Sequence, residues 1–357
     1  MKTIHNLLVF ATALLGTVSC SSNDVTERLN DQNEIRFTSV QMGNNVITKA
    51  TAMHTHSFGI YASVSLQGAT GSDYFINKKL AWNGSQWGLD SKYYYPNGNF
   101  SMKFVGYGNT YGTNAPDEYK NGILKYNNWQ IMTESAPGKG DWYQNPDICE
   151  AFVVTKKASS VSNISGKNGG INLLFTHALS KLQFNAKVIS PTNDYKTVSA
   201  KITSIKVKTP ATGALSISET SKWVPATKMA EYSIPVKSDI LTQTLTSVAK
   251  PFYVIPMNSS ESGQRTITVN VEVVHNYGDG SPSNIVVAKA TVNINPTADQ
   301  LAMNNLVTYN LTVDLEKLNN STGEGSLVDI QFNDPTIEEW NPVNIDNTTF
   351  PTVVSGR

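Results

Sequence analysis

Short runs of alternating apolar and polar residues recur along most of the chain, separated by Gly, Asn, Asp and Pro. They stand at Ile35–Val40, Ser57–Leu66, Phe100–Tyr107, Ile148–Val154, Leu173–Ile189 and Ala200–Val207. Further runs follow at Pro251–Ile255, Thr266–Val274, Ile285–Ile294, Leu306–Leu315 and Ser326–Phe332. A period of two carried by Val, Ile, Thr, Tyr and Phe predicts strands. Between Thr266 and Val273 the odd positions are apolar and the even ones polar, giving one buried and one wetted face. Tyr277–Pro282 then turns the chain back into Ile285–Ile294, a hairpin with a long loop. Helical periodicity is scarce, and the one short helix that the pattern allows lies near Thr297–Met303.

So many short antiparallel strands bury their apolar faces by stacking sheets, so the expected class is all-β, built of sandwiches. The stretch 158–170 is rich in Ser, Gly and Asn and separates an aromatic-rich first half from a Thr/Val-rich second half. Two β-sandwich domains are therefore expected, at 35–165 and 166–357.

Charge removes one class of partner. Lys+Arg and Asp+Glu are both 28, so the net charge is zero and no basic face for nucleic acid is expected. Charged residues make up only 16% of the chain, so Ser, Thr, Asn and Gln must supply much of the polar surface. That composition suits an extracellular β protein.

Residues 1–19 read as a secretory signal peptide, with Lys2 as its positive end and Leu7–Leu15 as its apolar stretch. The stretch is shorter than the about 20 residues that a membrane span needs. It ends in Gly16-Thr17-Val18-Ser19-Cys20, which resembles a bacterial lipobox, where the cysteine is lipidated and becomes the first mature residue. The alternative is a plain signal peptide cut nearby, with Cys20 incidental. Residues 20–34 are polar and suit a flexible lipidated tether to a membrane. Lipid on Cys20 leaves only Cys149, hence no intrachain disulfide; Cys149 lies in a strand-like run and reads as a structural thiol.

Several segments, in order, resemble the fimbrillin family of Bacteroidetes, the subunits of type V pili. The clearest is Phe175-Thr176-His177-Ala178-Leu179-Ser180-Lys181-Leu182-Gln183-Phe184, similar to that family's F-x-H-x-L-S-K-L-x-F strand. Ile35–Thr38, Thr48–Ala50 and Phe58–Ala62 are similar to its first strands. Tyr94-Tyr95-Pro96, Phe100–Phe104, Pro251–Pro256, Asn305–Leu311 and Glu339-Trp340 are similar to later passages. The family's usual proline-glycine before the late tyrosine strand is replaced here by Met303-Asn304-Asn305.

The resemblance implies two transthyretin-like sandwiches in tandem, no enzymatic activity and no cofactor. It implies export as a lipoprotein to the cell outer membrane, surface exposure, and assembly into a fimbrium. There a protease cuts after a basic residue, the first strand leaves, and a strand from another subunit fills the groove. On these residues, Ile35–Ile47 is the candidate first strand, with Ile35, Phe37 and Ser39 on one face and Arg36, Thr38 and Val40 on the other. Lys49 and Arg36 are the candidate cleavage sites, Lys49 being placed to release the whole strand. Val343, Ile345, Phe350, Val353 and Val354 are the candidate donor-strand residues, with Pro351 limiting a continuous ladder. An uncut chain serving as anchor or tip, and a C-terminal segment that is only a last edge strand, remain the alternatives. Partners on this reading are other subunits and a host or bacterial surface receptor.

No catalytic or metal residues are assigned. His54 and His56 have strand spacing without a nearby carboxylate or cysteine, and read as a solvated loop end. His177 reads as a structural histidine. No nucleophile elbow, zinc-protease helix or dinucleotide fingerprint occurs. Trp82, Trp87, Tyr93–Tyr95, Trp129 and Trp142 support a second function class, a monomeric surface lipoprotein stacking sugar rings on its aromatics. Packing of those rings into cores is the competing reading.

Overall fold

The computed structural model describes residues 34–42, 54, 56–66, 71–96, 98–108, 112, 115–131, 149–157, 170–189, 197–257, 265–276, 284–294, 301–315 and 329–339. Every element among them is a strand. The first half holds β1 (Arg36–Met42), β2 (Ser57–Leu66), β3 (Ser72–Trp82), β4 (Trp87–Leu89), β5 (Phe100–Tyr107), β6 (Glu118–Lys120), β7 (Ile123–Gln130) and β8 (Cys149–Lys157). After these come β9 (Gly170–His177), β10 (Ser180–Ile189), β11 (Thr197–Pro210), β12 (Thr212–Ile217), β13 (Lys222–Pro225) and β14 (Met229–Ile234). The last are β15 (Thr246–Ser247), β16 (Phe252–Val254), β17 (Thr266–Asn276), β18 (Asn284–Asn293), β19 (Asn305–Asp314), β20 (Asp329–Phe332) and β21 (Thr336–Glu339). The all-β class is as expected.

Seven strands in the order β1-β4-β3-β2-β5-β8-β9 form one sheet closed on itself. The remaining strands make a sheet with the order β15-β10-β19-β20, joined by β16 and β21, and two four-stranded sheets, β14-β11-β17-β18 and β13-β12-β7-β6. Two buried apolar clusters result. One fills the barrel, with Phe58, Ile60, Met102, Phe104 and Phe175 at its centre. The other joins the later sheets and reaches back to Tyr61, Val105 and Tyr107 on the outer wall of the barrel. β2 and β5 thus serve both clusters, with Phe58, Ile60, Met102 and Phe104 facing into the barrel and Tyr61, Val105 and Tyr107 facing the later sheets.

Strands do not change sheets where the polar stretch 158–170 suggested. The first strand after it, β9, pairs with β8 and β1. Before it, the β6–β7 hairpin joins β12 from the second half. Its turn is Asn121-Gly122, with φ of 53° and 78°, the left-handed pair that a two-residue hairpin loop requires. The turn tip sits against the barrel, where a Cβ at Gly122 would come within 2.8 Å of Ser63 Oγ.

The run Leu173–Ile189, expected as one strand, is two. β9 closes the barrel and β10 enters the next sheet, and the break falls at Ala178-Leu179. Its carbonyls explain why: the Ala178 oxygen accepts from Trp223 Nε1 at 2.6 Å, and the Leu179 oxygen accepts from the Asn304 amide at 3.1 Å. Ser180 Oγ donates to the Ala302 carbonyl, and the His177 amide donates to Asn304 Oδ1 at 3.2 Å. Asn304 itself has φ of 63°, so it supplies the left-handed conformation that glycine usually provides. Leu301 and Ala302 are not helical and Met303 begins a turn; the rest of the expected helix near Thr297–Met303 lies outside the described residues.

Candidate functional site

β1 is the strand on which the functional reading turns. On one side it runs parallel to β9 through six residue pairs, from Arg36 opposite Gly170 to Met42 opposite Phe175. On the other side it meets β4 at a single pair, Phe37 opposite Trp87. The Ile35 amide adds a bond to the Tyr93 carbonyl at 2.8 Å, and Glu34 bridges Tyr94. The barrel is thus closed firmly along β9 and thinly along β4.

The inward face of β1 is Ile35, Phe37 and Val40, at 5%, 3% and 7% exposure. This corrects the expected facing, which grouped Ser39 with Ile35 and Phe37 and put Val40 on the opposite face. The ladder skips Thr38: Phe37 faces Ile171 and the next pair is Ser39 with Asn172. One extra residue in a bulge shifts the alternation, so Val40 turns in. Phe37 meets the edge of Phe104 at 6.1 Å between centroids. Burying such side chains contributes about 2 kcal/mol each. The outer face is held by Asn172, whose Oδ1 accepts from Thr38 Oγ1 and Ser39 Oγ, each at 2.8 Å. Gly170 lies beneath the bulge, and a Cβ there would fall 2.0 Å from Thr38 Cγ2. Without β1, the barrel core beside Phe104, Trp87 and Ile171 would open to water.

Arg36 points outward and donates from Nε and Nη2 to Glu34 Oε2, at 3.1 and 2.9 Å. The Arg36–Phe37 bond lies inside the ladder with β9. Of the other sequence candidates, Cys20, Lys49, Val343, Ile345, Phe350, Val353 and Val354 lie outside the described residues, as does Trp142.

The aromatic side chains are engaged within the protein. Trp87 is 7% and Tyr95 4% exposed, and Tyr95 stacks on Phe100 at 5.4 Å. Trp82 is half-buried, with the His54 ring parallel to it at 3.7 Å. That stack replaces the expected solvated end for His54. Trp129 meets Trp223 edge-on at 5.6 Å, and Tyr93 packs on Phe75 at 4.6 Å. His177 is buried beside the break between β9 and β10.

One titratable group is buried where the sequence offers no sign of it. Glu150 on β8 stands opposite Tyr107 of β5 and Thr176 of β9, only 8% exposed, where the barrel wall meets the second cluster. It hydrogen-bonds Ser221 in the turn between β12 and β13, and its Oε2 has no partner. Burial pushes its carboxyl up to about 7, against the opposing pull of the Ser221 bond. A single acidic residue in a strand carries no local signal that the opposite wall will bury it.

The family model described as fimbrillin-like matches residues 45–340. A fimbrial protein from Bacteroides vulgatus is similar in structure, with a TM-score of 0.52 and 14% identity over 86% of this chain and 100% of that one. A candidate cell adhesion protein from Bacteroides uniformis is also similar, with a TM-score of 0.50 and 14% identity over 87% and 100% of the two chains. Among curated protein sequences none matches. At this identity the two structures bear on the fold.

Proposed function

The chain belongs to the fimbrillin-like family, and from that premise we propose that it is a fibre subunit whose first strand is a removable plug. The reading makes it a pilus or adhesion subunit at the cell surface that acts through contacts with other subunits, without catalysis. Lipid on Cys20 holds the precursor at the outer membrane, and β1 shields the barrel groove until it is released. A strand from another subunit then takes its place, with backbone bonds to β9 supplying affinity and the inward pockets supplying register.

The observation that supports this most is the asymmetry of β1, six pairs along β9 against one along β4. A strand so held can leave by breaking one ladder and the few bonds to β4, Tyr93 and Tyr94. The same geometry favours Lys49 over Arg36 as the release point. Cutting after Arg36 would require peeling hydrogen-bonded backbone from β9, which protects that bond.

The test is N-terminal sequencing of the protein from the cell surface, with gels of unboiled samples. The expected result is a chain beginning at Ala50 that runs as detergent-resistant ladders, lost when residues 343–357 are deleted. A chain retaining β1 in full ladders, or ladders unaffected by that deletion, would overturn the proposal.

A further inference from the structure

Glu150 is the one acidic side chain among the described residues that the fold buries. Its partner is Ser221, which lies across the seam between the barrel and the later sheets, in the turn that joins β12 to β13. A serine hydroxyl has one proton to give and two positions that accept. Ser221 Oγ donates that proton to the Ser218 carbonyl at 3.1 Å and accepts from the Ser218 amide at 3.2 Å. What it has left for Glu150 is an acceptor, so the hydrogen between them belongs to the carboxyl. We propose that Glu150 in its acid form is a latch between the two cores: its proton fastens the β12–β13 turn to the barrel wall, and loss of that proton frees the turn.

The surroundings offer an ionised Glu150 little. From β5 the facing residue is Tyr107, whose hydroxyl donates to Asn77 Oδ1 at 3.0 Å. From β9 it is Thr176, and His177 beside it takes the other side of that strand. The charged residues of the turn and of β13, Glu219 and Lys222, are both exposed to solvent. Among the described residues no cation pairs with Glu150, and its Oε2 has no hydrogen-bond partner. A carboxylate there only accepts. To be satisfied it draws the Ser221 proton away from the Ser218 carbonyl, or it meets water by opening the seam. Either course releases a bond that closes the turn. The seam is sensitive at this point, because Trp223 follows the turn and its Nε1 holds the Ala178 carbonyl at the break between β9 and β10. Burial raises the carboxyl to about 7, which sets the latch to work near neutral pH.

The test is amide hydrogen exchange on the full-length protein at pH 6 and pH 8, with each rate divided by the intrinsic rate at that pH. The Ser218 amide is the reporter, since it donates to Ser221 Oγ. Its protection should fall about tenfold between the two values, because ionisation favours the open turn from pH 4.5 up to 7 and levels off above. Amides of β10 should keep their protection. Glu150→Gln, whose side-chain amide always donates, should protect Ser218 equally at both pH values. Glu150→Met, which donates nothing, should leave Ser218 weakly protected at both. A tenfold step that persists in either variant would assign the titration to another group and sink the latch. A Met variant as well protected as the unaltered protein at pH 6 would show that the carboxyl proton fastens nothing. A loss shared equally by β10 would make the effect a global loss of stability and overturn the proposal.

Discussion

Two parallel strand pairs join distant parts of this chain, and they are built differently. β1 pairs with β9 through six positions interrupted by a bulge, and its far side touches β4 once. β10 pairs with β19 through nine uninterrupted positions, from Lys181 opposite Leu306 to Ile189 opposite Asp314. β10 is also flanked by β15 and β16, and β19 by β20 and β21. Each pair buries an aromatic anchor: Phe37 against Phe104 in the first, Phe184 stacked on Tyr309 at 5.8 Å in the second. The second pair is interior to its sheet and cannot leave without breaking ladders on both sides. The first closes a core with a strand that one ladder holds. A parallel pair is permanent or replaceable according to what flanks it.

The sharpest way to break that contrast is to truncate both anchors. Phe184→Ala should cost about 4 kcal/mol and shift the whole unfolding transition in urea. Phe37→Ala should cost less globally, about 3 kcal/mol, yet raise amide exchange at Ser39–Met42 while leaving β10 protected. Equal exchange at β1 and β10 in the Phe37 variant would remove the claim that β1 opens on its own.

Next in size is the coupling between the two cores at Glu150. Its carboxyl is raised from 4.5 to about 7 in the folded chain. Below about 4.5 the acid is neutral in both states; as pH rises toward 7 the unfolded chain ionises first, so the folded state loses stability. The loss should total roughly 3 kcal/mol once pH passes 7. Glu150→Gln, neutral throughout, should flatten this stretch of the stability profile. An unchanged slope between pH 5 and 7 in that variant would place the titration elsewhere.

The smallest effect concerns the clasp at the break between β9 and β10. Asn304→Gly relieves the left-handed backbone but removes the acceptor of the His177 amide. The expected cost is about 1 kcal/mol, read as a lower melting temperature; a more stable variant would mean that the backbone conformation outweighs the bond.

The run Ile35–Val40 was legible as a strand because alternation is local, and the same holds for β2, β5, β17 and β19. β3, β4, β6, β7, β12, β13, β14, β15 and β21 were missed, since most are short and polar residues interrupt their patterns; β6 and β7 form a hairpin whose outer edge is captured by β12, some 80 residues later. The candidate site was half legible. The resemblance pointed to the first strand, although alternation misjudged the side taken by Val40; the C-terminal segment lies outside the described residues.

What the sequence determined by itself is the class of the fold, its family resemblance, and which residues are apolar enough to face a core. Those follow from side-chain chemistry and a period of two. Tertiary structure decided three other things: the bulge at Thr38, the change of sheet at Ala178-Leu179, and the burial of Glu150. Each depends on a partner far along the chain, Ile171 and Asn172 for β1, Trp223 and Asn304 for the break, Ser221 for the carboxyl. Register and burial are properties of pairs of segments, so a single segment read alone does not contain them.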